Sequence, residues 1–173
     1  MPLNLICDLY QENSAMLIRN AQERDFMTCV LIARRAWPEF KERESIYHLF
    51  CKFFNNTCFV CEREGKIQAF LLGFLSQVDT SQAYIHLVAV DPPAQRQGLA
   101  NSLYETFFTT VRTRGAKQVR LIVNPDNAGS LAFHEKLGFE PDLHGDTIKI
   151  EGVWAVKDYN GPGLHMVPFS RPL

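Results

Sequence analysis

The sequence predicts one α/β domain, α+β by some schemes, built around a mixed β-sheet. The composition is that of a globular chain, because 46% of its 173 residues are hydrophobic and 21% are charged. Strand-like and helix-like runs alternate along the chain, as they do in domains that pack helices on a sheet. We predict that residues 1–14, which show no clear period, are an N-terminal extension and that residues 15–173 form a single domain.

The first predicted elements are a short strand and two helices. Residues 16–20 have the pattern of a strand, and apolar residues recur near helical spacing from residue 23 to residue 37. Pro38 ends that helix, because proline lacks a backbone N–H and clashes with the preceding turn. Residues 42–54 place their apolar side chains on one broad face, which predicts the second helix.

Three strands follow the helices. Residues 57–62 and 66–77 form a predicted hairpin across the Glu64-Gly65 turn, and residues 82–90 form the next strand. Both faces of this third strand are mainly apolar, so we expect it to be central in the sheet and covered on both sides. Regular alternation assigns one face to Tyr84, His86, Val88 and Val90, and the other to Ile85, Leu87 and Ala89.

The second half of the chain continues with a helix, a strand and a helix. Residues 99–114 carry apolar side chains four apart, residues 117–123 are apolar and β-branched, and residues 128–137 predict a short helix. From Phe139 onward we predict mainly loop, with one last strand within residues 164–169.

Charge and cysteine content argue against several classes of protein. Lys and Arg total 18 against 19 Asp and Glu, so the chain lacks the basic excess typical of a nucleic-acid-binding protein. The five cysteines all lie in the first 61 residues, and this odd number favours reduced, mostly buried thiols over a disulfide framework. Cys58 and Cys61 have Cys-x-x-Cys spacing, but no second such motif and no close His pair completes a metal site. With no leader pattern and no apolar run near the ~20 residues that span a bilayer, we expect a cytoplasmic protein that uses neither metal nor membrane.

The segment from Val90 to Ala100 has the features of a phosphate-binding loop. A buried strand ends there, and a loop containing Gly98 opens a helix. The first backbone N–H groups of a helix have no internal partners and lie at the positive end of its dipole, so a phosphate can dock on them. Gly98 lets the backbone approach a ligand closely, and Arg96 offers charge-assisted hydrogen bonds. The P-loop and the dinucleotide-binding glycine motifs are both absent from the sequence.

Two motifs occur in order along the second half of the chain. The first is a strand, a short spacer and Gln95-Arg96-Gln97-Gly98-Leu99-Ala100. The second is Asn127-Ala128-Gly129-Ser130-Leu131-Ala132-Phe133-His134-Glu135-Lys136-Leu137-Gly138-Phe139. Together they resemble the acyl-CoA-binding signature and the following helix of the GNAT superfamily of acetyl-CoA-dependent N-acetyltransferases. The resemblance implies the GNAT (acyl-CoA N-acyltransferase) fold, in which helices flank a mixed, mostly antiparallel central sheet.

The same resemblance implies where acetyl-CoA, the co-substrate, would bind. In this family two strands separate to form the cofactor slot, which here implies residues 82–90 and 117–123. Main-chain groups of Val88, Ala89 and Val90 would pair with the pantetheine arm. The pyrophosphate would lie among Gln95, Arg96, Gln97, Gly98, Leu99, Ala100 and Asn101. Asn127 would contact the pantetheine or lie near it.

His134 stands where the family has a tyrosine that protonates the departing CoA thiolate. An imidazole can donate a proton near neutral pH, so His134 is a candidate acid. It is equally a candidate for a partly buried packing residue with no role in proton transfer.

The acceptor amine needs a base, because an ammonium group cannot attack a thioester before it loses a proton. His86 is the candidate, since regular alternation places it on the same strand face as Val88. The alternative is a core histidine hydrogen-bonded to a neighbouring strand. Val88 N–H is a candidate donor to the thioester oxygen. Further candidates for the acceptor pocket are Glu44, Tyr47, Asp79, Tyr84, His144 and Tyr159.

The function implied by the resemblance is transfer of an acetyl group from acetyl-CoA to a primary amine. No cysteine lies near the cofactor motif, so direct attack in a ternary complex is expected rather than a covalent acetyl-enzyme. One alternative is a non-catalytic module of the same fold that binds or senses acyl-CoA, and another is a nucleotide-binding protein. The sequence does not identify the acceptor, and it is compatible with a monomer or a homodimer.

Overall fold

The computed structural model describes residues 16–40 and 42–173, so the predicted extension lies outside the described residues. The helices are α1 (Phe26–Ala36), α2 (Glu44–Phe53), α3 (Leu99–Thr113) and α4 (Ala128–Lys136). The strands are β1 (Leu17–Asn20), β2 (Phe59–Arg63), β3 (Lys66–Leu75), β4 (Gln82–Val90), β5 (Gln118–Val123), β6 (Glu140–Pro141), β7 (Thr147–Ile150), β8 (Val153–Val156) and β9 (Val167–Pro172). Within the described ranges, no helix is long and apolar enough to cross a membrane.

Seven strands form one sheet in the order β1-β2-β3-β4-β5-β9-β6. Neighbouring strands are antiparallel except β4 and β5, which run parallel. The sheet separates two apolar cores, one packed with α3 and α4 and the other packed with α1 and α2. The predicted fold class, a mixed and mostly antiparallel sheet flanked by helices, is therefore confirmed.

A β-bulge interrupts the middle of β4. Leu72 of β3 pairs with Leu87, but the next residue of β3, Gly73, pairs with Ile85, so His86 is the extra residue on β4. The bulge reverses the alternation of side chains along the strand: Ile85 packs in the core of α3, whereas Leu87 packs in the core of α1 and α2.

The bulge makes the predicted faces of this strand wrong. We expected His86 and Val88 to share a face, because a regular strand alternates with a period of two. Instead Val88 packs against the core of α3, and the imidazole ring of His86 stacks on the ring of Phe50 in α2, with centroids 4.9 Å apart. His86 therefore faces the α1–α2 side of the sheet.

Strands β4 and β5 pair over only part of their length. The parallel pairing runs from Gln82 with Gln118 to Tyr84 with Arg120, and no pair between the two strands follows in the described structure. β4 nevertheless continues to Val90, so its remaining residues border a gap, here called the strand opening. The predicted separation of these two strands is thus present.

The region after Phe139 contains more regular structure than we predicted. β7 and β8 form a hairpin with a two-residue turn, Glu151-Gly152, whose residues have φ of 47° and 93°. Positive φ at both turn positions is typical of tight hairpins, and glycine adopts it without strain. The last strand begins at Val167 and ends at Pro172, later than expected.

The described cysteines are buried and unbridged, namely Cys29, Cys51, Cys58 and Cys61. The prediction of reduced, buried thiols is confirmed for these four, while Cys7 lies outside the described residues. Cys61 packs in the core of α3, and the other three pack in the core of α1 and α2, so all four act as small apolar residues.

Candidate functional site

The strand opening exposes main-chain groups of β4. In an antiparallel pair, alternate residues exchange hydrogen bonds with the partner strand and the residues between them point away. The N–H of Asp91 donates to the carbonyl of Gln68 at 2.8 Å, which assigns Ala89 to the set that bonds β3. The N–H and C=O groups of Val88 and Val90 therefore face the strand opening. We expected main-chain contacts to the cofactor from Val88, Ala89 and Val90. The hydrogen-bond pattern leaves the groups of Val88 and Val90 free for this, whereas those of Ala89 bond to β3.

Directly after β4, the loop from Asp91 to Gly98 leads into the N-terminus of α3. Gly98 precedes the helix with φ of +81°, and the first helical hydrogen bond runs from Ser102 N–H to the Gly98 carbonyl at 3.1 Å. The amides of Leu99, Ala100 and Asn101 consequently have no partner within the helix. A Cβ atom built on Gly98 would meet nothing within 4 Å, so the protein leaves open space at the residue before these amides.

Side chains of the loop hold its shape. Gln95 donates from Nε2 to the Val90 carbonyl at 3.3 Å, and Gln97 donates from Nε2 to the Pro93 carbonyl at 3.4 Å. Arg96 is exposed and has a positive φ of 62°. The sequence-predicted loop residues are thus brought together at one end of β4, beside the strand opening.

Arg63, at the end of β2, was missed by the sequence analysis. Its Nη1 donates to Oε1 of Gln97 at 2.7 Å, which brings a second cationic side chain to the loop that carries Arg96. Its Nε is buried and has no hydrogen-bond partner among the described residues. The contact could not be predicted from sequence, because Arg63 and Gln97 are far apart in the chain and meet only where β2 ends beside the loop.

His134 lies inside an aromatic cluster, with 8% of its surface exposed. Nδ1 lies 2.7 Å from the carbonyl of Ser130, which can only accept, so Nδ1 carries the proton. The lone pair of Nε2 then accepts from the hydroxyl of Tyr104 at 2.7 Å. Burial lowers the pKa of His134 and raises the pKa of Tyr104. Both ring nitrogens are engaged by the protein, which favours the packing interpretation over a proton donor.

Asn127 caps the N-terminus of α4. Its Oδ1 accepts from Ser130 N–H at 3.0 Å, while the residue itself remains exposed. Since α4 follows β5 closely, the cap lies on the β5 side of the strand opening. Asn127 is therefore held in place by a structural hydrogen bond and keeps its amide group available.

His86 is paired with a carboxylate from the loop that joins α1 to α2. Its Nε2 lies 2.7 Å from Oε1 of Glu42, whose side chain is only 13% exposed. Glu42 is not among the sequence-predicted site residues, because the charge-rich stretch to which it belongs is typical of the solvated start of a helix. The contact between Glu42 and His86 is visible only in the folded structure, because the bulge turns His86 toward α2.

Two cavities contain candidate residues for the acceptor pocket. A cavity of about 510 Å³ is lined by Glu42, Glu44 and Tyr47 together with residues of α1 and the following loop. A smaller one, of about 240 Å³, is lined by Tyr84, Arg120, Asp142, His144 and Tyr159.

Most further candidates for the acceptor pocket therefore line one of the two cavities. Asp79 does not, because it accepts hydrogen bonds from Ser81 and Gln82 within its own turn. Burial, with Tyr159 nearby, raises the pKa of Tyr84 to about 12, so its hydroxyl stays protonated near neutral pH.

Comparison with known proteins identifies acetyltransferases as similar in sequence and in fold. The model of the acetyltransferase (GNAT) family matches residues 25–139, which is more than half of the chain. A ribosomal protein bS18-alanine N-acetyltransferase of Escherichia coli K12 is 37% identical over 81 residues, covering 47% of this chain and 53% of that protein. The chain thus spans about half the length of this curated relative.

Solved structures show the same fold. The crystal structure of the E. coli ribosomal-protein-S18-alanine N-acetyltransferase has a TM-score of 0.68 at 24% identity and covers 91% of this chain and 94% of that one. A diaminobutyrate acetyltransferase of Paenibacillus lautus, in complex with L-2,4-diaminobutyric acid and coenzyme A, has a TM-score of 0.70 at 20% identity, with 91% and 95% covered.

Proposed function

The chain belongs to the acetyltransferase (GNAT) family, and on this basis we propose that it transfers the acetyl group of acetyl-CoA to a primary amine. The observation that carries the proposal is a juxtaposition. The unpaired amides at the start of α3 lie at the end of the strand whose main chain faces the strand opening. An elongated ligand with a diphosphate at one end and a hydrogen-bonding arm at the other matches this arrangement.

The diphosphate of the co-substrate would bind the loop and the start of α3. The N–H groups of Gly98, Leu99, Ala100 and Asn101 would donate to its oxygens, assisted by the positive end of the helix dipole. Arg96 and Arg63 would add positive charge, while the side chains of Gln95 and Gln97 keep the loop in shape.

The pantetheine arm would occupy the strand opening. It would pair with the main chain of Val88 and Val90 in the manner of an added strand, with Asn127 on the opposite side. The N–H of Val88 would then donate to the thioester oxygen and stabilise the oxyanion of the tetrahedral intermediate.

His86 would serve as the base for the acceptor. A proton passes from the substrate ammonium to the imidazole, and the freed lone pair attacks the thioester carbonyl carbon. The carbon–sulfur bond then breaks, the nitrogen releases its second proton to solvent, and the thiolate takes up a proton from solvent to leave as CoA. His134 takes no part in this scheme, since its two nitrogens are engaged with Tyr104 and Ser130.

The acceptor would enter from the α1–α2 side, where the larger cavity lies. The names of the similar proteins suggest a first panel: a peptide that begins with alanine, and L-2,4-diaminobutyric acid. A blocked peptide with one free lysine side chain completes the panel and separates α-amines from side-chain amines.

The experiment is a thiol-release assay with acetyl-CoA and each amine, together with thermal unfolding in the presence of CoA, ATP or NAD. We expect amine-dependent release of CoA, and stabilisation by CoA alone. Stabilisation by CoA without turnover on any amine would favour the acyl-CoA-binding module. Equal stabilisation by ATP or NAD would favour a nucleotide-binding protein.

A further inference from the structure

The pairing of Glu42 with His86 has features that a simple surface ion pair lacks. The Glu42 side chain is 13% exposed and that of His86 is 30% exposed, so both are partly withdrawn from water. Oε1 of Glu42 lies 2.7 Å from Nε2 of His86. A carboxylate only accepts hydrogen bonds, so in this contact Nε2 carries the proton and donates it.

The imidazole ring is held on a second side by Phe50. The two rings are stacked at 4.9 Å with an angle of 8° between their planes. One aromatic face and one charged hydrogen bond together leave the ring little freedom. Within the described part of the chain, Nδ1 of His86 has no hydrogen-bond partner, so its lone pair is not engaged by the protein.

The other oxygen of Glu42 is also informative. Oε2 is buried and has no hydrogen-bond partner among the described residues. A buried polar atom without a partner costs free energy, and such atoms in native proteins call for an explanation. Glu42 also lines the larger cavity, on the side where the acceptor would enter. If Glu42 only stabilised the loop between α1 and α2, hydrogen bonds to both of its oxygens would give the more stable protein.

We propose that Glu42 is a positioning residue for the reaction. It fixes His86 as the Nε2–H tautomer, which leaves Nδ1 to take the proton of the acceptor ammonium. When that proton arrives, Nε2–H keeps its bond to the carboxylate, and the negative charge stabilises the imidazolium that forms. The proton then leaves to solvent from Nδ1, and the neutral ring is restored. This inference rests on the proposed role of His86 as the base.

The first test is spectroscopic and needs no acceptor. Long-range ¹H–¹⁵N spectra of protein labelled at histidine nitrogens report which ring nitrogen carries the proton, and His86→Gln identifies the signals of His86. We expect a single Nε2–H tautomer in the wild type and a shift toward the Nδ1–H form in Glu42→Ala. The Nδ1–H form in the wild type, or an unchanged tautomer in Glu42→Ala, overturns the proposal.

The second test uses the most active amine of the panel. Glu42→Ala should lower kcat roughly tenfold or more, while the KM for acetyl-CoA is unchanged. Glu42→Gln keeps an acceptor oxygen on a side chain of the same length, so it should keep the tautomer and recover part of kcat. The control Glu39→Gln removes an exposed carboxylate from the same loop and should keep both.

The outcomes separate the two proposals. A kcat in Glu42→Ala within twofold of wild type, or no recovery in Glu42→Gln, overturns the role of Glu42 while a severe loss in His86→Gln leaves the base in place. Full activity in His86→Gln would show that His86 is not the base, and it would overturn this inference as well. The proposed transferase activity would still be supported by amine-dependent CoA release. A Glu42→Gln variant that unfolds like wild type in urea shows that its rate reports chemistry rather than folding.

Discussion

Tyr104 and His134 are joined by a 2.7 Å hydrogen bond inside the core beneath α3 and α4. The bond connects two helices and satisfies a phenol hydroxyl and an imidazole nitrogen that both lie away from water. It explains why a histidine, at a position where this family has a catalytic tyrosine, is compatible with a structural role. His134 accepts a hydrogen bond from Tyr104, and its other ring nitrogen is engaged with the Ser130 carbonyl.

We predict that His134→Phe lowers the free energy of unfolding by about 1–3 kcal/mol, because the Tyr104 hydroxyl loses its buried partner. Removing both polar groups, in Tyr104→Phe with His134→Phe, should recover part of this loss, since no polar atom of the pair is then left unsatisfied. Urea unfolding of the four proteins in this double-mutant cycle measures the coupling. A large fall in kcat for His134→Phe with unchanged stability would instead identify His134 as a proton donor.

The pH dependence of stability provides a second test of the same pair. Burial lowers the pKa of folded His134 below its ordinary value of about 6.5, so at mildly acidic pH the unfolded chain binds a proton that the folded chain does not. This contribution to stability is present above pH ~6.5 and is lost as the pH falls through the folded pKa. Between pH 7.5 and 5.5, the wild type should therefore lose more stability in urea than the variant with phenylalanine at both positions. Equal losses would indicate that His134 is charged in the folded protein.

Gly98 and Gly115 provide a matched pair at the two ends of α3. Both have positive φ, +81° and +94°, and a Cβ on either would meet nothing within 4 Å. Gly98→Trp and Gly115→Trp should consequently strain the backbone to a similar degree. We predict that only Gly98→Trp abolishes CoA binding, measured by titration calorimetry, because its indole fills the space in front of the helix amides. CoA binding of wild-type strength in Gly98→Trp would place the diphosphate elsewhere.

Gly73 lies opposite the bulge and has no room for a side chain. A Cβ there would come within 2.5 Å of the Phe107 ring and 2.8 Å of the Tyr84 carbonyl. We predict that Gly73→Ala destabilises the protein by about 1–3 kcal/mol, by overpacking the core at the point where β4 changes face.

The control for Gly73 is Gly129→Ala in α4, whose added Cβ would meet only Oδ1 of Asn127 at 3.8 Å. Alanine is the better helix former, so this variant should be as stable as wild type or more stable. Thermal unfolding compares the two, and a neutral Gly73→Ala would contradict the close packing at the bulge.

The local parts of the fold were predictable from sequence, while their long-range relations were not. The loop at Gly98 and the cap at Asn127 depend on a few consecutive residues, so their motifs are visible in the chain. The faces of β4 depend on its register with β3, and a single extra residue at His86 reverses them. Strict alternation therefore predicts the faces correctly on each side of the bulge taken separately, but it fails for residues on opposite sides of the bulge.

The same reason explains the residues that sequence reasoning missed. Glu42 meets His86 only because the loop after α1 folds over the sheet, and Arg63 meets Gln97 only because β2 ends beside the α3 loop. The β7–β8 hairpin had a local signal, the alternation of residues 147–150 followed by Glu151-Gly152. Its strands of four residues each were too short to stand out among the glycines of that region.

The measurement that tests this account most directly is a crystal structure of the protein with bound acetyl-CoA. We predict that the diphosphate oxygens accept hydrogen bonds from the amides between Gly98 and Asn101, and that the pantetheine arm lies against the main chain of Val88 and Val90. A co-substrate bound away from the start of α3, with the space beside Gly98 filled by protein side chains, would contradict the account.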